Sequence, residues 1–159
     1  AIEYSILKAS DGAPYTFLGK DVQSPFTDTG FSIAAPACYE ILYDDACRNV
    51  SDVSPEACPV ILSASVSADN VVSLNWNAYQ GWANGITGYR LEKYSKAGGL
   101  LRAYTLGNVT TFTDNETDLF NQVVYYRIFV LSADALGPST SNRLEVIKKP
   151  NLFYPRAFT

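Results

Sequence analysis
The sequence predicts an all-β chain in which one antiparallel β-sandwich module occurs twice, the first copy being incomplete at its N-terminal end. Three observations carry this reading. The first is an internal repeat: Tyr4-Ser5-Ile6 matches Tyr89-Arg90-Leu91, Phe26-Thr27-Asp28 matches Phe112-Thr113-Asp114, and Tyr39-Glu40-Ile41 matches Tyr126-Arg127-Ile128. The landmarks keep their order, and their offset drifts by one residue at a time, so each copy is one structural unit. The second is composition, with eleven Tyr and eight Phe set in short runs rich in Val, Ile, Thr and Leu, as strands require. The third is a turn signal every 8–12 residues or so with no helical periodicity of useful length. Residues 59–88 have no counterpart before Tyr4, so residue 1 is expected to fall inside a domain.

The second copy defines the elements. Residues 60–67 form a first short strand. Residues 70–77 follow, with Val72, Leu74 and Trp76 on one face and Ser73 and Asn75 on the other, the period-two pattern of a sheet with one buried face. The loop 78–85 is rich in Asn, Gly and aromatic residues. Residues 86–94 place Tyr89 and Leu91 inward, Arg90 and Glu92 outward. Gly98-Gly99 turns the chain into strands 101–106 and 109–114, separated by Gly107-Asn108. Residues 121–132 carry Tyr126, Ile128 and Val130 on one face, 135–139 turn through Gly137-Pro138, and 143–148 close the set. Trp76 and Tyr126 are the bulky fillers expected in the core. In the first copy, strands are expected at 3–8, 15–18, 23–28, 37–44 and 53–58. Without the first two strands of the module, Tyr4, Ile6, Tyr39, Ile41 and Tyr43 would present an apolar face and an open edge, to be covered by preceding chain or by a strand from another protein.

Charge and composition exclude several classes of function. A net charge of −4 leaves no electrostatic footprint for nucleic acid or anionic lipid, and no apolar run is long enough for a membrane-inserted helix. The chain has no His, so no Ser–His–Asp triad, no Cys–His pair and no His-ligated zinc can be built from it. No cofactor and no catalytic residue is expected.

Pro59-Val60, Val72-x-Leu74-x-Trp76, Tyr89-x-Leu91, Leu119 followed by Tyr125-Tyr126-x-Ile128-x-Val130, and Ser132-Ala133 before a Gly-containing turn together resemble a fibronectin type III domain, over nearly all of residues 59–149. The stretch from Trp76 to Ile86 is similar to the version found in large secreted and surface proteins of the Bacteroidetes. Residues 38–41 and Asp45-Ala46-Cys47-Arg48-Asn49 share that flavour, with Arg48 where the family often has Gly. The closing residues, through Tyr154, Pro155, Ala157, Phe158 and Thr159, resemble the opening of a gliding-motility-associated C-terminal domain, the sorting signal of type IX secretion substrates. The resemblance implies the C-terminal part of one immunoglobulin-like (fibronectin type III) sandwich at 1–58, a complete one at 59–149, and a linker with the start of a sorting domain at 150–159. It further implies non-catalytic spacer or adhesion modules of a secreted or cell-surface protein, with the type IX machinery, and surface glycans or other surface proteins, as partners. The alternative is a carbohydrate-binding accessory module of a secreted hydrolase.

Few residues are candidates for chemistry. A hairpin folded about residue 48 sets Cys38 opposite Cys58, a pair able to form a disulfide, which leaves Cys47 for a partner lying outside this sequence. A Cys-only zinc site would lack its fourth ligand. Asp114, Glu116 and Asp118 are spaced like the start of a calcium loop but lack its Gly and distal Glu, so a solvated loop is the simpler reading. Tyr79 and Trp82 could stack on a sugar ring or close the end of the sandwich; packing is the simpler role.

Overall fold
The computed structural model describes residues 3–10, 12–21, 25–116 and 120–150; the sorting-like residues Tyr154, Pro155, Ala157, Phe158 and Thr159, and Asp118, lie outside them. The first part of the chain is a single sheet of β1 (Glu3–Ser10), β2 (Thr16–Asp21) and β3 (Ala37–Asp44), antiparallel in the order β2-β1-β3. On it Tyr4 stands opposite Tyr43, Ile6 opposite Ile41 and Lys8 opposite Tyr39. Ile6 is buried, while Tyr4, Ile41 and Tyr43 are exposed; among the described residues no second sheet lies over them.

The second part is a two-layer sandwich. Its strands are β4 (Leu62–Val66), β5 (Val72–Trp76), β6 (Ile86–Ser95), β7 (Leu100–Leu106), β8 (Thr111–Asp114), β9 (Val123–Ser132), β10 (Ser139–Thr140) and β11 (Leu144–Ile147). One sheet is β4-β5-β8; the other is β10-β9-β6-β7, with β11 also on β9, and every pairing is antiparallel. The alternation of side chains explains the packing: Val72, Leu74 and Trp76 of β5 and Val124, Tyr126, Ile128 and Val130 of β9 point into one core with Val60, Leu62, Tyr89, Leu91 and Val146. Trp76 meets Tyr89 edge-on at a ring separation of 5.6 Å. This all-β, immunoglobulin-like sandwich with a three-stranded sheet facing a β7-β6-β9 sheet has the fibronectin type III arrangement.

Two asparagines tie distant edges of the sandwich. Asn142 accepts from the Leu62 N–H (2.7 Å) and donates to the Leu62 carbonyl (3.0 Å), and Asn70 makes the same pair with Lys149 at 2.8 and 3.1 Å. Each supplies both bonds that a neighbouring strand would have given. Gly88 marks the irregularity in the β6–β9 pairing; its φ is +150°, and a Cβ there would lie 2.4 Å from the Leu106 carbonyl oxygen, so only glycine fits.

Two strands expected in the first copy, 23–28 and 53–58, do not form among the described residues. Residues 25–28 form no strand. Their counterpart β8 pairs with β5, and the described residues of the first copy contain no equivalent of β5. Residues 53–58 also form no continuous strand. The longer stretch 50–57 follows β3 through single bridges at its two ends, Val50 and Ala57, with serine side chains replacing backbone carbonyls between them. Ile41 N–H donates to Ser54 Oγ (2.9 Å) and Tyr43 N–H to Ser51 Oγ (3.0 Å), and each serine then donates to the next carbonyl, Pro55 and Asp52. The second copy repeats this at Ser141, whose Oγ accepts from Ile128 N–H at 2.9 Å and donates to Asn142. That substitution breaks the closing strand of the sandwich into β10 and β11.

Candidate functional site
The two copies share one polar cluster inside otherwise apolar surroundings. Inward positions alternate along β6, so Tyr89 and Leu91 are followed by Lys93, which is 1% exposed. Lys93 stands opposite Tyr126 in the β6–β9 register, as Lys8 stands opposite Tyr39 in β1–β3. Each pair converges on one aspartate at the matched position. Lys8 Nζ and the Tyr39 hydroxyl both lie 2.7 Å from Asp28 Oδ2, and Gly30 N–H donates to Oδ1 at 2.8 Å. In the second copy, Lys93 Nζ is 2.7 Å and the Tyr126 hydroxyl 2.5 Å from Asp114 Oδ2, and Glu116 N–H donates to Oδ1 at 2.9 Å.

The clusters differ in depth and geometry. Side-chain exposure is 18% and 10% for Lys8 and Asp28, but 1% and 0% for Lys93 and Asp114. Lys8 donates an aligned hydrogen bond to Asp28. Lys93 approaches Asp114 as closely, but there both groups are closed off from water. Glu116 lies 3.6 Å from Lys93 Nζ and pairs with Arg102 at 2.5 Å; its counterpart in the first copy is Gly30.

The carboxyl groups respond in the same direction. The hydrogen bonds from Lys8 and then Tyr39 hold Asp28 below the ordinary carboxylate range. Burial alone would raise Asp114, but Lys93, Tyr126 and the Glu116 N–H outweigh it and lower its pKa. Burial first, and then the aspartate partner, raise the hydroxyl pKa of Tyr39 and of Tyr126. Nearby Tyr104, stacked on Phe112 at 4.6 Å, is pushed up to about 12 by burial and by the charges of Asp114 and Glu116.

Asp114 was expected, with Glu116 and Asp118, to be at most a weak calcium-loop start. Its two oxygens are committed to Lys93, Tyr126 and the Glu116 N–H, and Glu116 faces two cations. A cation there would displace an ammonium group. Cys38 and Cys58 are joined by a disulfide with a Cα separation of 4.3 Å, and Cys47 is free and exposed. Glu56 lies close enough to both sulfurs to complete a three-ligand metal cluster, but the bridge consumes the thiolates and leaves one carboxylate.

The bridge stands where the two parts of the chain meet. Cys58 N–H donates to the Gln80 carbonyl at 3.0 Å, and two residues later Val60 is already in the second core. An open groove of about 840 Å³ runs along this junction, between Tyr15, Cys38 and Glu56 on one side and Trp76, Asn77 and Gln80 on the other. Tyr79 and Trp82 are partly buried. Their rings lie 4.4 Å apart, both pack on the core of the second copy, and the Tyr79 N–H donates to the Tyr89 hydroxyl.

Sequence reasoning located Asp28, Asp114, Tyr39 and Tyr126 as repeat landmarks but missed both lysines. The signal was present: Lys93 continues the inward series of Tyr89 and Leu91, and Lys8 lies at the same place after Tyr4 and Ile6.

The class defined by this strand order and core is an immunoglobulin-like, fibronectin type III-like sandwich. No protein-family model matches the chain, and no curated protein matches it. Among solved structures, the FN1–FN3 domains of chicken CNTN1 are similar at a TM-score of 0.47 and 10% identity, over 93% of this chain and 56% of that one. The chain therefore spans just over half the length of that structure, and the fold assignment rests on its own strands and core.

Proposed function
We propose that the chain is a pair of non-catalytic modules, 1–58 and 59–149, that serve as spacer or adhesion units of a secreted or cell-surface protein. The observation that carries this reading is the joint. The Cys38–Cys58 bridge anchors the end of the first module to β3, the Cys58–Gln80 backbone bond docks it on the second, and the second core begins at Val60. That leaves no free linker, and a semi-rigid rod follows. The disulfide supports an oxidising location such as the cell exterior. Small-angle scattering tests the rod: the chain should fit one extended particle, and inserting a Gly-Ser linker after Cys58 should broaden its distance distribution. Scattering from the unaltered chain that already requires freely reorienting modules would reject the proposal.

The finer reading is a gliding-motility adhesin-like substrate of type IX secretion, engaging that machinery through an adjoining C-terminal domain whose start is Tyr154–Thr159. It is supported by the resemblance of residues 76–86 and of the closing residues. Blocking type IX export in a producing cell should retain the protein inside; unchanged export would remove this reading. The packing of Tyr79 on Trp82 and of both on the core favours the spacer over a carbohydrate-binding accessory module, because a sugar ring needs a free aromatic face. Glycan-array binding lost in Trp82→Ala would reverse that preference.

A further inference from the structure
We propose that Lys93 and Asp114 condense inside the folded second module to form an intramolecular amide (isopeptide) crosslink, with Tyr126 and Glu116 handling the protons. The starting point is the Lys93 nitrogen. It is buried, 2.7 Å from the Asp114 carboxylate and 3.6 Å from that of Glu116. Holding two ions out of water is costly even when they are paired. An amide removes both charges and leaves one neutral N–H.

The groups around the carboxyl are those an acyl transfer needs. The Glu116 N–H on Oδ1 is placed to hold an oxyanion, and the Tyr126 hydroxyl on Oδ2 is placed to assist its departure. The Glu116 carboxylate, 3.6 Å from Nζ, is within reach of the protons that must leave nitrogen. The step balances without any co-reactant. One proton passes from the ammonium to Oδ2 of the carboxylate, giving a neutral amine and a neutral acid; because the ion pair is the resting state, this transfer is uphill and makes the reaction slow. The Nζ lone pair attacks Cγ, forming the N–C bond. A second proton moves from nitrogen through Glu116 or Tyr126 to Oδ2, the Cγ–Oδ2 bond breaks, and Oδ2 leaves as water. Nothing is oxidised or reduced. Because Lys93 lies on β6 and Asp114 on β8, the product locks one sheet of the sandwich to the other.

The first copy is a built-in control. Lys8 and Asp28 are more open to water, and Gly30 stands where Glu116 would be. That pair remains an ion pair, so the chain loses one water and not two.

Electrospray mass of the denatured chain decides the matter. With the Cys38–Cys58 bridge reduced, the expected mass is one water below that of the 17.4 kDa sequence, with a branched Lys93–Asp114 peptide after digestion. Lys8→Ala should keep the one-water deficit, whereas Lys93→Ala and Asp114→Ala should show their full masses. Glu116→Ala, checked for folding by circular dichroism, should lose water about a hundredfold more slowly or not at all. A full mass for the unaltered chain after prolonged incubation in the folded state overturns the proposal, as does a deficit mapped to any other peptide. Loss of two waters would overturn the roles given to burial and to Glu116.

Discussion

Lys8 stands directly opposite Tyr39 on the β1–β3 ladder, and both reach the same carboxylate oxygen, Oδ2 of Asp28. The second copy repeats this register with Lys93, Tyr126 and Asp114 although most other positions have diverged. A recurring ion pair on the inward face ties the loop after β2 to β1 and β3 in the first copy, and β8 to the two central strands of the facing sheet in the complete one. In the first copy the cluster remains titratable and partly wet, so its contribution can be read as a function of pH.

The folded pKa of Asp28 is depressed and that of Tyr39 raised. A depressed carboxylate contributes stability that is present above its unfolded pKa and lost as pH falls through the folded value. A raised hydroxyl contributes stability that is present below its unfolded pKa and lost as pH rises. Stability of the first sheet should therefore be level between about pH 4 and about pH 10 and fall on both sides. Asp28→Asn should flatten the acid limb and Tyr39→Phe the alkaline one. Denaturant unfolding across that range, followed through Tyr39 in NMR spectra, checks both.

The period-two patterns of β5, β6 and β9 were legible in the sequence because both sheets bury one face, and alternation is what one buried face imposes. The cluster was half legible. Asp28, Asp114, Tyr39 and Tyr126 stood out as repeated residues, whereas Lys93 looks like a solvent residue until its inward register is followed past Leu91. The serine ladder was not legible. Ser54 and Ser141 read as turn residues, because a hydroxyl that replaces a ladder carbonyl leaves no periodic trace. Residues 25–28 resembled a strand for a sound local reason and lacked only the partner that makes one.

Ser141→Ala should cost about 1–3 kcal/mol, since it strips the acceptor from the buried Ile128 N–H. Ser54→Ala should cost under about 1 kcal/mol, because the Ile41 N–H it frees lies where water can replace the hydroxyl. Hydrogen exchange separates this mechanism from general loosening: Ile128 should lose protection in the first variant while Leu91 across the ladder keeps it.

Gly88→Ala should destabilise the second module by about 1–3 kcal/mol or more, because φ is +150° and the new Cβ would meet the Leu106 carbonyl at 2.4 Å. The damage should centre on β6 and β7, whose pairing begins at Tyr89 and Leu106. Thermal unfolding of the variant gives the magnitude, and chemical shifts at Leu106 and Gly107 give the location.

Arg48 holds the turn after β3 in a conformation that suits glycine better, with φ at +67°. The surrounding bonds demand it. Asp45 Oδ1 accepts from the N–H of Cys47 and of Asn49, Asp45 Oδ2 accepts from the Asn49 side chain, and Arg48 N–H donates to the Asp45 carbonyl. The arginine therefore bears a left-handed backbone without a compensating ion pair among the described residues. Arg48→Gly should stabilise the first module by up to about 1 kcal/mol: relief of the left-handed strain, about 1–2 kcal/mol, is offset in part by the extra freedom of glycine in the unfolded chain. Arg48→Ala keeps the Cβ and should give no gain. Equal stabilisation by both variants would mean that charge, not backbone conformation, governs the turn, and urea midpoints of the two measured side by side distinguish the cases.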